Sequence, residues 1–132
     1  MKRLLVVDDD AMVRATVRQM AEDEGFSVVA VTSGKAAREA CRRAPFDVAV
    51  VDVIMPDEDG IRTMTLLRRE HSDLALIGMS GGGRTGNFEL LKLSERAGAD
   101  VLLRKPFDHG AFAEAVRNAV LGHRNRPKDT VP

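Results

Sequence analysis

The chain has 132 residues, of which 44% are hydrophobic and 30% charged, a mix typical of one soluble globular domain. Lys plus Arg and Asp plus Glu each total 20, and the resulting net charge of zero argues against a nucleic-acid or membrane surface built on bulk charge. A single cysteine, Cys41, excludes an intramolecular disulfide and favours a reducing compartment. No stretch approaches the ~18 apolar residues that cross a bilayer, so we expect a cytoplasmic protein.

Short apolar runs alternate along the chain with longer amphipathic segments. The runs are predicted to be strands and cover residues 4–7, 27–31, 48–51, 74–79 and 101–103. Three of them are almost continuous in Val, Ile and Leu, as are strands that are buried on both faces of a parallel sheet. The alternation predicts an α/β fold of the (βα)5 type, a flavodoxin-like three-layer sandwich with a parallel five-stranded sheet of order 2-1-3-4-5.

The segments between the runs are predicted helices. They cover residues 11–24, 34–44, 59–70, 88–97 and 109–121. Ser33 and Asp108 are expected N-caps, and Gly25 and Gly98 are expected to end the first and fourth helices.

Acidic residues follow the first and third predicted strands. Asp8 and Asp9 come directly after residues 4–7, and Asp52 comes directly after residues 48–51. In an open α/β sheet, ligands bind outside the carboxyl ends of the strands, where the strand order reverses. In the order 2-1-3-4-5 the first and third strands are neighbours, so the three carboxylates should converge. Their mutual repulsion favours a hard divalent cation, and the residue types suit Mg²⁺.

Two more polar residues follow the fourth and fifth predicted strands at the same edge of the sheet. Ser80 comes directly after residues 74–79, and Lys105 comes shortly after the fifth run. A hydroxyl and an ammonium beside a carboxylate–metal site suit a phosphoryl group, because each can hold one of its oxygens. Asp52 can then act as the nucleophile that becomes an acyl phosphate. The bond between Lys105 and Pro106 is a candidate cis peptide.

At these residues the chain resembles the response regulator receiver family of bacterial two-component signalling. The matching motifs are residues 5–10 (LVVDDD), 50–56 (VVDVIMP), 59–60 (DG), 79–81 (MSG), 97–100 (AGAD) and 105–107 (KPF). Any one of these motifs is weak, whereas all of them in this order and spacing are highly specific. The resemblance covers almost the whole chain.

The resemblance implies how the acidic residues work. Asp52 is the expected phosphoacceptor, loaded by a histidine kinase or a histidine phosphotransfer protein. Asp9, the Asp52 carboxylate and the Ile54 backbone carbonyl would ligate Mg²⁺ directly, and Asp8 would act mainly through bound water. Asp10 has no role that the family requires, and we interpret it as a helix cap.

The resemblance also implies a switch and not an enzyme. Ser80 and Lys105 would hold the phosphoryl oxygens, and phosphorylation would change the affinity of the surface formed by residues 88–121 for a downstream protein. We expect a monomer or weak dimer that binds neither nucleic acid nor membrane. The family commonly has an aromatic residue three positions before the lysine, where this chain has Leu102. The leucine has two interpretations, simple packing in the core or an altered output surface. Leu93 lies on the predicted helix 88–97, part of which we expect to be a partner surface.

Two other functions are compatible with some of the residues. In a haloacid-dehalogenase-type phosphatase, Asp8 would be the nucleophile and Asp10 the acid, but that family needs a later acidic pair and the motif around Asp52 would be unexplained. A binding module that keeps only the fold would usually have lost the phosphoacceptor or Lys105. The glycine-rich residues 81–86 fit a nucleotide-binding pattern, but they follow the fourth strand and we expect no nucleotide there.

Residues 1–121 are predicted to form one receiver domain, and residues 122–132 a polar C-terminal tail. The tail is too short for an output domain. The chain is therefore either a stand-alone receiver, which we favour, or the receiver of a longer response regulator.

Overall fold

A central parallel sheet organises residues 2–55, 58–81 and 88–124, the part of the chain that the computed structural model describes. In chain order the elements are β1 (Arg3–Val7), α1 (Ala11–Asp23), β2 (Ser27–Val31), α2 (Gly34–Arg43), β3 (Val48–Asp52), β4 (Ile54–Met55), β5 (Glu58–Asp59), α3 (Gly60–Glu70), β6 (Ala75–Ser80), α4 (Phe88–Ala97), β7 (Val101–Arg104) and α5 (His109–Arg124).

The sheet has the order β2-β1-β3-β6-β7, and every neighbouring pair is parallel. This is the predicted order 2-1-3-4-5, because the two-residue strands β4 and β5 form a separate antiparallel pair outside the sheet. In the register, Val7 pairs with Val51, and Asp52 pairs with Met79. The carboxyl ends of β1, β3 and β6 therefore meet at one edge of the sheet, as the sequence predicts.

Each face of the sheet is covered by helices, which gives the predicted three layers. One core cluster joins the sheet to α1 and α5, and it includes Val17 and Phe112. The other cluster joins the sheet to α2, α3 and α4, and it includes Ala37, Met64 and Ala97. Because both faces are covered, the middle strands are apolar up to their last residues, which explains the nearly continuous Val, Ile and Leu runs in the sequence.

The helix ends follow from local side-chain chemistry. The Ser33 hydroxyl accepts from the Ala36 N–H at 3.1 Å, and an Asp108 carboxylate oxygen accepts from the Ala111 N–H at 2.8 Å, so both predicted N-caps are confirmed. Gly25 and Gly98 have positive φ values of 91° and 106°, the conformation that glycine supplies after a helix. Within the described residues, no helix combines the length and apolar character that crossing a bilayer requires.

Several element bounds differ from the predictions, most of them by a single residue. The short pair formed by β4 and β5 has no counterpart in them, because two-residue strands are too short to show an alternating pattern. Helix α3 begins at Gly60, one residue later than predicted. Helix α5 ends at Arg124, three residues past the predicted end, because a glycine at position 122 costs only about 1 kcal/mol in a helix. The division between domain and tail stays a prediction.

An arginine network ties α3 to the turn between α4 and β7. The Arg68 guanidinium donates to the Gly98 carbonyl at 2.7 Å, to the Leu74 carbonyl at 2.6 Å and to the Asp100 carboxylate at 2.9 Å. The same Asp100 oxygen accepts from the Leu76 N–H at 2.9 Å. Since the Asp100 side chain is only 1% exposed, this ion pair fixes the end of α4 against the sheet.

Candidate functional site

Three carboxylates converge at the carboxyl edge of the sheet. Asp8 directly follows β1 and is fully buried, Asp52 is the last residue of the neighbouring β3 and is 6% exposed, and Asp9 is exposed. One carboxylate oxygen from each of the three residues lies within 4.8 Å of the others. The convergence follows from the pairing of β1 with β3.

Lys105 contacts two of these carboxylates. Its Nζ lies 2.8 Å from Oδ2 of Asp8 and 3.4 Å from Oδ2 of Asp52. The backbone N–H of Lys105 donates to the Ser80 carbonyl at 2.8 Å, which fixes the lysine beside the end of β6. The bond between Lys105 and Pro106 is cis, as the sequence suggests.

The second oxygen of each buried carboxylate accepts from the local backbone. Oδ1 of Asp8 accepts from the Asp10 N–H at 2.9 Å, and Oδ1 of Asp52 accepts from the Ile54 N–H at 3.2 Å. Both bonds span two residues and form the tight turns that aspartate favours after a strand. Each carboxylate is therefore oriented by its own local backbone, whereas Lys105, which is distant in sequence, contacts both carboxylates.

The pKa values of Asp52 and Lys105 are shifted by burial and by the charges of neighbouring side chains. Burial raises the pKa of the Asp52 carboxyl above its usual range, and the Asp8 charge raises it further. Burial opposes the charge on Lys105, but the hydrogen bond to Asp8 and the charges of both carboxylates outweigh it and raise the pKa of the ammonium. Lys105 is therefore held in its charged form.

Ser80 and Ile54 complete the predicted set. Ser80 is the last residue of β6, is 2% exposed and directly follows Met79, the register partner of Asp52. Ile54 lies two residues after Asp52, and its side chain is 61% exposed. The six predicted site residues thus all lie at the same edge of the sheet.

The start of α3 packs directly against the backbone of Asp52. A Cβ atom added at Gly60 would collide with the carbonyl oxygens of Asp52 and Val53, so only glycine allows this close approach. The Asp59-Gly60 motif of the sequence therefore has a steric basis.

Arg14 is a contact that the sequence did not predict. Its Nη1 donates to the Asp8 carbonyl at 2.9 Å from the first turns of α1. The spacing of six residues carries no recognised signal, because the contact depends on the angle at which α1 leaves β1. Asp10 is a helix cap as interpreted, since its carboxylate accepts from the Met12 N–H at 2.8 Å.

Some of the predictions lie outside the described residues. These are the Pro56 turn, the glycine-rich segment beyond Gly81, and the tail from residue 125. On α4, Leu93 is 44% exposed, and its place in a partner surface stays a prediction.

The fold and its acidic edge define the chain as a CheY-like α/β domain. A family profile described as the response regulator receiver domain matches residues 4–117, and the chain belongs to this family. It is a receiver domain of the two-component response regulators.

Curated relatives agree with this assignment. The chain is 34% identical over 127 residues to the transcriptional regulatory protein CseB of Streptomyces avermitilis, covering 94% of this chain and 52% of CseB. It is 33% identical over 132 residues to the response regulator MprA of Mycobacterium leprae, covering 96% of this chain and 54% of MprA. The chain thus spans about half the length of the curated relatives it matches.

Solved structures share the fold. A CheY-like receiver domain from Methanospirillum hungatei superposes with a TM-score of 0.84 at 23% identity, covering 94% of this chain and 97% of that one. A response regulator from Thermotoga maritima gives a TM-score of 0.80 at 25% identity, covering 92% and 98%.

Proposed function

We propose that this receiver domain accepts a phosphoryl group on Asp52 from a histidine kinase or a histidine phosphotransfer protein. The observation that supports this most directly is the Lys105 ammonium, 2.8 Å from Asp8 and 3.4 Å from Asp52, at the edge where three carboxylates meet. A fixed cation in this position can neutralise an oxygen of an arriving phosphoryl group.

In the proposed transfer, an Asp52 oxygen attacks phosphorus while the bond from phosphorus to the donor's imidazole nitrogen breaks. The imidazole leaves with the electron pair and takes a proton from water, and Asp52 becomes an acyl phosphate. Lys105 stays protonated because its pKa is raised, and it holds one phosphoryl oxygen. The Ser80 hydroxyl, one residue beyond the register partner of Asp52, donates to another.

The residues that would hold Mg²⁺ are Asp9, Asp52 and the Ile54 backbone carbonyl, with Asp8 acting through bound water. The fit rests on charge and on donor type, because three carboxylates meet one ammonium and hard oxygen ligands are those that Mg²⁺ prefers. When bound, the ion neutralises charge on the phosphoryl oxygens.

A phosphodonor has to cover the edge of the sheet that holds Asp52, and exposed apolar side chains flank that edge. Met12 is 78% exposed and Ile54 is 61% exposed. A mostly apolar groove beside the site is lined by Met12, Val13, Thr16, Lys105, Pro106 and Phe107. Exposed apolar groups beside a reactive centre are suited to transient protein docking, and we assign this groove to the phosphodonor.

The proposed role is that of a cytoplasmic switch whose only chemistry is the gain and loss of its own phosphoryl group. Phosphorylation would act on Ser80 and, through it, on the surface of α4, β7 and α5 that meets a downstream protein. Leu102 packs against the core cluster shared with α3, and its Cδ1 lies close above Gly78, which supports simple packing at this position.

The test is to treat the purified protein with acetyl phosphate or phosphoramidate and Mg²⁺ and to weigh it intact. We expect one labile phosphoryl adduct that does not form in a reaction in which Mg²⁺ is chelated and does not form on Asp52→Asn. Asp73→Asn is the matched control, because Asp73 is an exposed carboxylate outside the site, and it should be phosphorylated normally.

Two results would contradict the proposal. An adduct that survives Asp52→Asn and is lost in Asp8→Asn would favour the phosphatase-type chemistry. No adduct from small donors or from a panel of phosphorylated histidine phosphotransfer domains would favour a module that keeps only the fold.

A further inference from the structure

The outer surface of α2 and α3 is rich in basic side chains. We call it the α2–α3 face, and its charged members are Lys35, Arg38, Glu39, Arg42, Arg43, Arg62, Arg69 and Glu70. Six of these residues are basic and two are acidic, so the face has a net charge of +4 on a chain whose charges sum to zero. Positive charge is therefore concentrated on this face, although basic and acidic residues are equal in number over the whole chain.

Ion pairs between the two helices make this one continuous surface. Nη2 of Arg38 lies 2.9 Å from Oε2 of Glu70, and Nη2 of Arg42 lies 3.7 Å from the same oxygen. Arg38 and Arg42 of α2 therefore lie beside the C-terminal end of α3.

Two of the three arginines of α3 lie on its outer side. Arg62 and Arg69 are seven residues apart and both exposed, whereas the buried side of α3 consists of Gly60, Thr63, Met64 and Leu67. Arg68 is turned away from this surface, towards the Gly98 carbonyl.

The face lacks the apolar groups that a protein or membrane partner would need. Among the described residues, the exposed large hydrophobic side chains are Met12, Ile54, Leu93 and Leu121, and none of them lies on α2 or α3. Protein interfaces depend on buried apolar or aromatic side chains, and membrane-surface helices need an apolar side. Non-specific binding to a nucleic-acid backbone depends mainly on charge and needs no apolar contact, and the planar arginine fork matches a phosphate.

We propose that the α2–α3 face binds the phosphodiester backbone of double-stranded nucleic acid without reading its sequence. The surface contributes phosphate contacts and no base contacts, so binding is weak and strongly salt-dependent. The inference goes beyond phosphorylation of Asp52 and does not depend on it. It also departs from the expectation drawn from the net charge, because a net charge of zero does not describe how the charges are distributed.

The test is fluorescence anisotropy of a labelled mixed-sequence duplex of about 25 base pairs, titrated with the full chain as salt rises from about 20 to about 200 mM. With about four phosphates contacted, log K should fall with log salt at a slope of about −3.6. The variant Arg62→Gln/Arg69→Gln should bring the slope to about −1.8. The matched control, Arg96→Gln/Arg117→Gln, removes two exposed arginines from α4 and α5 and should leave the slope unchanged.

Three results would overturn the proposal. The first is no binding of the duplex at the lowest salt. The second is a control variant whose salt slope falls as much as that of Arg62→Gln/Arg69→Gln. The third is displacement of the labelled duplex by polyglutamate at a lower concentration of charge than is needed with unlabelled duplex. The last result would assign the face to an acidic protein. Far-UV circular dichroism of both double variants verifies that they are folded, and Asp52→Asn should bind the duplex like the wild type.

Discussion

Among single residues, Lys105 has the largest effect on the charge balance of the site. Its ammonium contacts one oxygen of Asp8 and one of Asp52, and the other oxygens accept from the Asp10 and Ile54 N–H groups. Each oxygen of the two buried carboxylates thus has a hydrogen-bond donor or a cation beside it, which reduces the cost of burying their charge. A divalent cation bound to this cluster would be repelled by the ammonium.

We therefore expect Lys105→Met to bind Mg²⁺ about tenfold more tightly than the wild type, because a positive charge a few ångströms from the ion has been removed. Isothermal titration calorimetry measures the affinity directly. Lys92→Met is the control, since Lys92 is an exposed lysine on α4. Equal affinities in wild type and Lys105→Met would mean that the ammonium lies away from the ion.

Cys41 is a second residue whose chemistry depends on its surroundings. Burial raises the pKa of its thiol from 9.0 to about 11, and the charge of Glu70 contributes to the rise. Because the unfolded chain ionises first, the folded state gains stability that is complete below about pH 9 and is lost as the pH rises through about 11.

We predict that the wild type loses about 1–2 kcal/mol more stability than Cys41→Ala between about pH 8 and about pH 11, a figure that allows for solvent screening. Urea unfolding followed by circular dichroism measures this difference, since the chain has no Trp or Tyr to report by fluorescence. Parallel stability curves for the two proteins would contradict it.

At the scale of elements, the junction between β3 and α3 is the most constrained. Helix α3 begins at Gly60 against the carbonyl oxygens of Asp52 and Val53, so the backbone of Asp52, the proposed phosphoacceptor, is in direct contact with the start of this helix. Any side chain at this position would force β3 and α3 apart.

Gly60→Ala should therefore lower the free energy of unfolding by about 3 kcal/mol, the upper part of the range for overpacking. Gly122→Ala is the matched control, because Gly122 lies in α5 with open space around it, and there alanine should stabilise by up to about 1 kcal/mol. Urea titrations of the two variants give both values. A neutral Gly60→Ala would mean that α3 can withdraw from β3 at little cost.

Element boundaries show which signals are local. The caps at Ser33 and Asp108 and the glycine ends at Gly25 and Gly98 could be predicted, because each depends on a few neighbouring residues. The β4–β5 pair could not, because its four residues lie in a stretch dominated by turn signals.

At the scale of the whole molecule, the sheet order and the edge that holds the site follow from rules that apply to every open α/β sheet. Asp8, Asp9, Asp52, Ser80 and Lys105 could be predicted because each comes at or just after the end of an apolar run. The partners of Arg14 and Arg68 could not, because they depend on helix angles and on turns distant in sequence.

The anchoring of α4 has a mechanical consequence. Arg68 and Asp100 hold the turn at Gly98 and with it the C-terminal end of the helix, while the N-terminal end follows the segment that begins after Ser80. If the proposed phosphorylation displaces Ser80, the movement would reach α4 at the end opposite to this fixed point. A helix about 15 Å long would then pivot about Gly98, and its first turn would move furthest.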